Sequence, residues 1–364
     1  MNKLFTFLFL IVCKFTFSQS AIYFPDSSSL SVDSGFNLKT ISLRGLSVVD
    51  NKSVWFSGSK GVFGKSSDGL LKTQFHQIEK YKKSDFRDIE AFSSKKAVMM
   101  SSGFPALILY TEDGGITWNE SFRSIDSAMF LDGMDFWNEK EGVVFGDPIN
   151  GRFFLIRTKD GGKTWKEIDT TGFPQTMNGE AAFAASGTSI RCLKNGDFAF
   201  VSGGTVSRFY YFNKIKNSWN VSPVPIVQGK SSQGAFSFSF LRKDEFNEDL
   251  FCFVGGDFLK DTLNEGDPNS AWYRLNPPLW FRQKFIQNTN GYRSCVEAIN
   301  SFYLICCGTS GVDISVGTGV DKHWKKISDD SFHVVRKAKR GNLIVFAGAN
   351  GRIAKLQFKD KAKK

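Results

Sequence analysis

Thr158 to Trp165 reads T-K-D-G-G-K-T-W, and Thr111 to Trp118 reads T-E-D-G-G-I-T-W, the same eight-residue pattern 47 positions earlier. The chemistry is that of a tight turn between two strands. The Asp carboxylate can accept hydrogen bonds from backbone N–H groups of its own turn, and the glycines take up φ > 0 at little steric cost. The Trp then anchors the returning strand with a large apolar surface. Partial copies stand at Ser66 to Gly69 and around Trp219, Trp280 and Trp324.

Working outward, an apolar run ending in Gly recurs seven times: Val54 to Gly58, Val98 to Gly103, Val143 to Gly146, Phe198 to Gly203, Phe251 to Gly255, Tyr303 to Gly308 and Leu343 to Gly348. The glycines are spaced by 45, 43, 57, 52, 53 and 40 residues. Each run is too short and too rich in Val, Phe and Tyr for a helix, and turn residues follow it. Such a period is that of propeller blades. The expected fold is all-β, a seven-bladed β-propeller of four-stranded antiparallel blades, with each run as a second strand. Blades are expected to begin near Thr40, Phe86, Ala128, Ala181, Gly234, Tyr292 and Phe332. The wider spacings put insertions at Thr170 to Glu180 and Asp257 to Trp280. Blade seven has chain for three strands only, ending near Phe358. The extended segment Ser28 to Asp33 is therefore expected to supply a fourth and close the ring, which spares two open sheet edges.

The eight-residue pattern resembles the Asp-box, S/T-x-D-G-G-x-T-W, of sialidases, of photosystem II assembly-factor propellers and of related secreted bacterial proteins. Thr111, Asp113, Gly114, Gly115 and Trp118 match it, as do Thr158, Asp160, Gly161, Gly162 and Trp165. Leu43 to Leu46, L-R-G-L, is similar to the start of an assembly-factor blade. The resemblance implies that these boxes are structural, closing the turn between third and fourth strands on the rim opposite the functional face. The loops of the other rim then hold the binding candidates: Arg44, Arg87, Asp147, Arg152, Glu180, Arg208, Asp257, Arg293, Asp313 and Arg352. Glu180 and Arg293 are closely flanked by small and apolar residues, so both are expected to be partly buried.

Sialidases also need a F/Y-R-I-P motif and a Tyr/Glu pair, and neither is recognisable in this sequence. Asp147 and Glu180 stand as the two carboxylates of a glycosidase alternative. No G-x-G-x-x-G sits between a strand and a helix, and no cysteines have redox spacing. The histidines, His76, His323 and His333, are too scattered for a zinc site. No metal and no cofactor are expected. The reading is a non-catalytic binding or assembly propeller of the cell envelope, with a secreted glycan-active hydrolase as the alternative.

Residues 1–18 carry Lys3, an apolar run from Leu4 to Cys13 and a small residue before Gln19, the make-up of a secretory leader. The run is too short to span a bilayer. Val12 is larger than the small residue a lipobox takes before its Cys. Residues 19–39 then form the N-terminal segment, 40–358 the propeller and 359–364 a basic tail. Losing Lys3 and Lys14 with the leader lowers the formal charge from +11 to +9. That balance suits an acidic protein or glycan of the envelope, and no nucleic-acid-binding pattern accompanies it. Five cysteines lie beyond the leader, without C-x-x-C. Cys295 can bridge to Cys306 or Cys307 on the neighbouring strand, or all five can remain buried thiols.

Overall fold

The seven apolar runs lie in the second strands of seven blades, where both faces are covered by neighbouring blades, which is why they read as unbroken apolar stretches. The computed structural model describes residues 22–23, 31–34, 37–169, 172–241, 249–261, 269–276, 279–283, 288–300, 303–316 and 323–358. The leader and the basic tail lie outside them. Blade one comprises Leu43–Val48, Val54–Gly58, Val62–Ser66 and Lys72–Gln77; blade two comprises Phe86–Ala91, Ala97–Ser101, Ala106–Thr111 and Asn119–Ser124. Blade three is Leu131–Phe136, Gly142–Ile149, Arg152–Thr158 and Lys166–Glu167, and blade four Ile190–Cys192, Phe198–Val201, Arg208–Asn213 and Ser218–Pro223. Blade five is Gln233–Leu241, Asp249–Asp257, Ser270–Asn276 and Leu279–Gln283, and blade six Cys295–Ala298, Leu304–Gly308, Gly311–Val316 and His323–Ser328. Blade seven has Val334–Lys337, Ile344–Ala347 and Ile353–Lys355.

The glycines that end the second strands have a steric reason. A Cβ at Gly58 would fall 2.5 Å from the Ser42 carbonyl oxygen, one at Gly146 2.2 Å from that of Phe130, and one at Gly308 2.2 Å from that of Tyr292. In blades one, three, five and six the chain leading into the inner strand crosses too close for any side chain, whereas a Cβ at Gly103 of blade two would meet only the Phe130 ring, at 3.3 Å.

The N-terminal segment differs from expectation in its pairing. Ser31–Ser34 runs parallel to Lys72–Gln77 as a fifth strand of blade one. Ile22–Tyr23 instead pairs antiparallel with Gln357–Phe358. The Leu356 N–H bonds to the Ile344 carbonyl, so Gln357–Phe358 carries the third strand of blade seven onward. Blade seven thus receives its outer partner from residues earlier than those expected. Blades seven and one also bond directly, Lys339 and Arg340 N–H donating to the carbonyls of Val48 and Val49.

Two other boundaries shift. Blade four begins at Ile190, not near Ala181, because Glu180–Ala181 pairs with Gly203–Gly204 beside the inner strand of blade five. The stretch read as one insertion, Asp257 to Trp280, contains the third strand of blade five, Ser270–Asn276.

The apolar core is divided among the faces between blades. Trp55, Phe63, Phe86, Met99 and Leu107 pack between blades one and two, and Phe145, Phe153, Phe200 and Tyr210 between three and four. Each fully buried Phe contributes about 1.5–3 kcal/mol. Indole N–H groups tie blades together as well: Trp55 to the Ser93 carbonyl at 3.0 Å and Trp137 to the Asp197 carbonyl at 2.7 Å. Trp219, Trp280 and Trp324 all stand in fourth strands.

Candidate functional site

The D-G-G turns fix which rim is which. Gly114 N–H bonds to Lys95 O and Gly161 N–H to Lys140 O, each at 2.9 Å, so the turn between strands three and four sits against the turn between strands one and two of its own blade. Inside the turn, Asp113 Oδ1 accepts from Thr111 Oγ1 at 2.8 Å and from Thr117 N–H at 2.9 Å, and its Oδ2 accepts from Thr117 Oγ1 at 2.6 Å. Asp160 repeats these contacts with Thr158 and Thr164 at 2.8, 2.9 and 2.6 Å. The Thr117 hydroxyl and N–H hold the Asp113 carboxyl down at about 2. The partial copy at Ser66 closes the same way, Asp68 accepting from Ser66 Oγ at 2.7 Å and Lys72 N–H at 3.0 Å. Leu70 stands where the pattern has its second Gly and takes that residue's left-handed backbone, at φ +70°.

On the opposite rim the inner strands of blades one, two, three and five each carry a bulge at corresponding places, between Leu43/Gly45, Phe86/Asp88, Leu131/Gly133 and Ala235/Ser237. The extra residues are Arg44, Arg87, Asp132 and Phe236. A β-bulge re-aims a side chain, and these four collect where the strands converge.

The segment Ala182 to Thr188 runs across that mouth. Asp147 Oδ1 accepts from Ala182 N–H at 2.9 Å, Arg87 donates to Ala184 O at 3.4 Å and Arg44 to Ala185 O at 3.3 Å. Phe183 stacks on Phe236 with centroids 3.8 Å apart, and Ser186 Oγ donates to Ser294 O at 2.8 Å. Gly187, at φ +67°, passes so close to Asp88 that a Cβ would lie 2.2 Å from its Oδ1. One segment thereby touches blades one, two, three, five and six, and it caps the channel.

Burial, and then the neighbouring Arg87, pull the Arg44 guanidinium below its ordinary value. His333, on the same side, is depressed to about 3 by burial and by the charges of Arg44 and Arg87. Burial raises Asp147, and burial followed by the nearby Asp147 raises Asp132 strongly. Asp132 is 1% exposed, and among the described residues neither of its oxygens has a hydrogen-bond partner.

The ten expected binding residues fall into three sets. Arg44, Arg87 and Asp147 hold the capping segment, and Arg87 also pairs with Asp85 at 2.8 Å. Glu180 with Arg208, and Arg293 with Asp313, are buried ion pairs. Glu180 accepts from Arg208 at 2.5 Å, Ser202 Oγ at 2.5 Å, Tyr210 OH at 2.9 Å and Met177 N–H at 2.9 Å. Arg293, with no exposed surface, donates to Asp313 at 2.7 Å and to the Tyr292 and Asn290 carbonyls. The third set is peripheral: Arg152 is exposed, Asp257 accepts from Gln233 at 3.1 Å, and Arg352 pairs with Asp330 at 2.9 Å. Of the two carboxylates of the glycosidase alternative, Glu180 is thus enclosed by four donors and Asp147 accepts from the Ala182 N–H.

Sequence reasoning missed the other end of the channel. There, on the rim of the D-G-G turns, a cavity of about 290 Å³ is lined by Glu90, Asp135, Arg191, Glu297, Arg336 and Lys339. Glu297 pairs with Arg191 at 2.8 Å and Arg336 at 3.8 Å; Glu90 pairs with Arg336 at 3.1 Å and with Lys339. The signal was present as charges inside otherwise apolar inner strands, R-D-I-E at Arg87 to Glu90 and V-V-R-K at Val334 to Lys337. Among the described residues no group of three or more His, Cys, Asp or Glu could hold a metal ion.

No protein-family model matches this sequence, and no curated protein matches it. Solved structures do. The chain is similar to YCF48 bound to D1 peptide, with a TM-score of 0.58 at 12% identity over 92% of this chain and 99% of that one. It is similar also to YCF48 from Cyanidioschyzon merolae, with a TM-score of 0.59 at 14% identity over 88% of this chain and 96% of that one. At such identities the likeness is one of fold.

Proposed function

We propose that this chain is a non-catalytic propeller of the cell envelope that binds a protein on the rim opposite its D-G-G turns, and that those turns are structural Asp-boxes. One observation carries the reading. Phe104, Ile125, Met177, Phe258 and Leu259 are large, exposed apolar residues, and all lie in loops of that rim. Leu71, Ile116 and Ile215, on the other rim, are single turn tips. Exposed apolar residues gathered on one face among charges are what a protein partner covers. The charges once assigned to binding are mostly spent inside, so Phe104, Met177 and Leu259 make the contact and Arg87, Arg152 and Asp257 frame it. That the similar YCF48 structure holds a D1 peptide supports recognition of a protein segment by a propeller of this shape. The basic balance favours an acidic segment, and the leader-like make-up of residues 1–18 supports an encounter outside the cytoplasm.

The test uses variants on each rim. Phe104→Asp with Leu259→Asp should abolish capture of the partner from envelope extracts, and Ile116→Asp with Ile215→Asp should leave it intact. Equal loss from both, or cleavage of a glycan by the purified protein that Asp147→Ala removes, would replace this reading. Intact mass of the exported chain should show cleavage near Ser18.

A further inference from the structure

Blade six carries three buried cysteines on its two innermost strands. Cys295 lies directly across from Cys307, while Cys306 faces Val296. The two faces of the blade keep them apart: Cys295 and Cys307 belong to the apolar cluster shared with blade seven, and Cys306 to the one shared with Cys252 of blade five. Of the two bridges open to Cys295 by sequence, geometry leaves one.

The surroundings of Cys295 favour its thiolate. Val335 N–H lies 3.4 Å and Thr188 Oγ1 3.5 Å from its sulfur, both as donors, and the protonated thiol itself donates to the Val335 carbonyl at 3.3 Å. Burial alone would push this thiol up, but hydrogen bonds from the Cys307 thiol, Thr188 and Val335 bring it to about 6. Burial, and its role as donor to Cys295, hold Cys307 well above the ordinary value. An ionised thiol beside a protonated one is the arrangement from which thiol–disulfide exchange proceeds.

We propose that Cys295 and Cys307 close a disulfide across the two inner strands of blade six when the chain folds in the presence of a low-molecular-weight disulfide. The Cys295 thiolate attacks one sulfur of that disulfide and expels a thiolate, giving a mixed disulfide. Cys307 then attacks the Cys295 sulfur, loses its proton to solvent and expels the second small thiol. Two protein thiols are oxidised, and one small disulfide is reduced to two thiols. Directly opposed Cβ atoms in an antiparallel pair lie about 4.5–5.5 Å apart, and a disulfide needs about 3.5–4.5 Å. Closure therefore asks the strand ends to tighten by roughly an ångström, next to Gly308. Both sulfurs are shut from solvent in the folded chain, so the exchange takes place late in folding, when Cys307 and Thr188 already stand beside Cys295 and blade seven, with Val335, has yet to close over it.

The experiment refolds the reduced, denatured chain in a mixture of glutathione and glutathione disulfide, blocks free thiols, and cuts after Glu297, which lies between the two cysteines. Mass spectrometry should find the Cys295 fragment joined by a reducible bond to the fragment holding Cys306 and Cys307. Cys306→Ser should keep the link and Cys307→Ser should lose it. The proposal is overturned if every cysteine of the refolded wild type is blocked, if only glutathione adducts form, or if Cys306→Ser breaks the link.

Discussion

His333 offers a sharp test of the electrostatics at the capped mouth. It is 7% exposed, and burial together with Arg44 and Arg87 lowers it from 6.5 to about 3. The folded chain therefore holds this imidazole neutral at pH values where the unfolded chain protonates it. Because the folded value is depressed, its contribution is complete above pH 6.5 and is lost as pH falls toward 3. At pH 4.5 the unfolded value sits about two units above ambient, worth about 2–3 kcal/mol of lost stability. Urea titrations followed by Trp fluorescence at pH 7.5 and 4.5 should show the wild type losing that much more than His333→Asn. The comparison cancels the carboxylates common to both proteins. Replacing Arg44 and Arg87 by Met should shrink the difference without abolishing it, since burial is the larger cause. Parallel pH profiles for wild type and His333→Asn would refute the placement of His333 beside two cations.

Two further outcomes follow from single contacts. Asp313→Ala should cost about 3–5 kcal/mol, because it leaves the Arg293 guanidinium buried without its counter-charge, whereas Arg293→Met with Asp313→Leu should recover most of the loss in chemical denaturation; a cost below about 1 kcal/mol would return Arg293 to the binding candidates. Leu70→Gly relieves about 1–2 kcal/mol of left-handed backbone but gives up a fully buried Leu, for which core truncations cost about 2–5 kcal/mol, so the variant should be less stable in the same titration, and a stabilised variant would mean that strain dominates.

The blade count was legible because its cause is local. A second strand covered on both faces must be apolar, and in blades one, three, five and six the crossing chain demands Gly at its end, so both marks recur in sequence. The D-G-G turns were legible for the same reason, their hydrogen bonds spanning four residues. The site was not. Arg44 and Arg87 reach the mouth through bulges, and a one-residue bulge leaves no trace in an alternation of apolar and polar residues. Their partners, the Ala184 and Ala185 carbonyls, lie about a hundred residues away or more in sequence. The small and apolar neighbours of Glu180 and Arg293 point to partial burial, yet the sequence offers no way to see that Arg208 and Asp313 neutralise them.

That neutralisation bears on where the proposed recognition can occur. A ring of seven inner strands brings charges from different blades into one narrow channel, and a charge there costs several kcal/mol unless it is paired. The chain pairs most of them: Arg44, Arg87 and Asp147 with the backbone of the capping segment at one end, Glu90 and Glu297 with Arg191, Arg336 and Lys339 at the other; burial instead pushes Asp132, which has no hydrogen-bond partner among the described residues, toward its neutral form. A partner competing for the capped end would have to expel Ala182 to Thr188 and strand Arg44, Arg87 and Asp147 without their backbone partners. The loops around it ask for no such exchange, since Phe104, Met177, Phe258 and Leu259 already face water and gain by leaving it. On the proposed reading, recognition on this rim falls to the loop tips, while Arg44, Arg87 and Asp147 hold the segment Ala182 to Thr188 across the mouth.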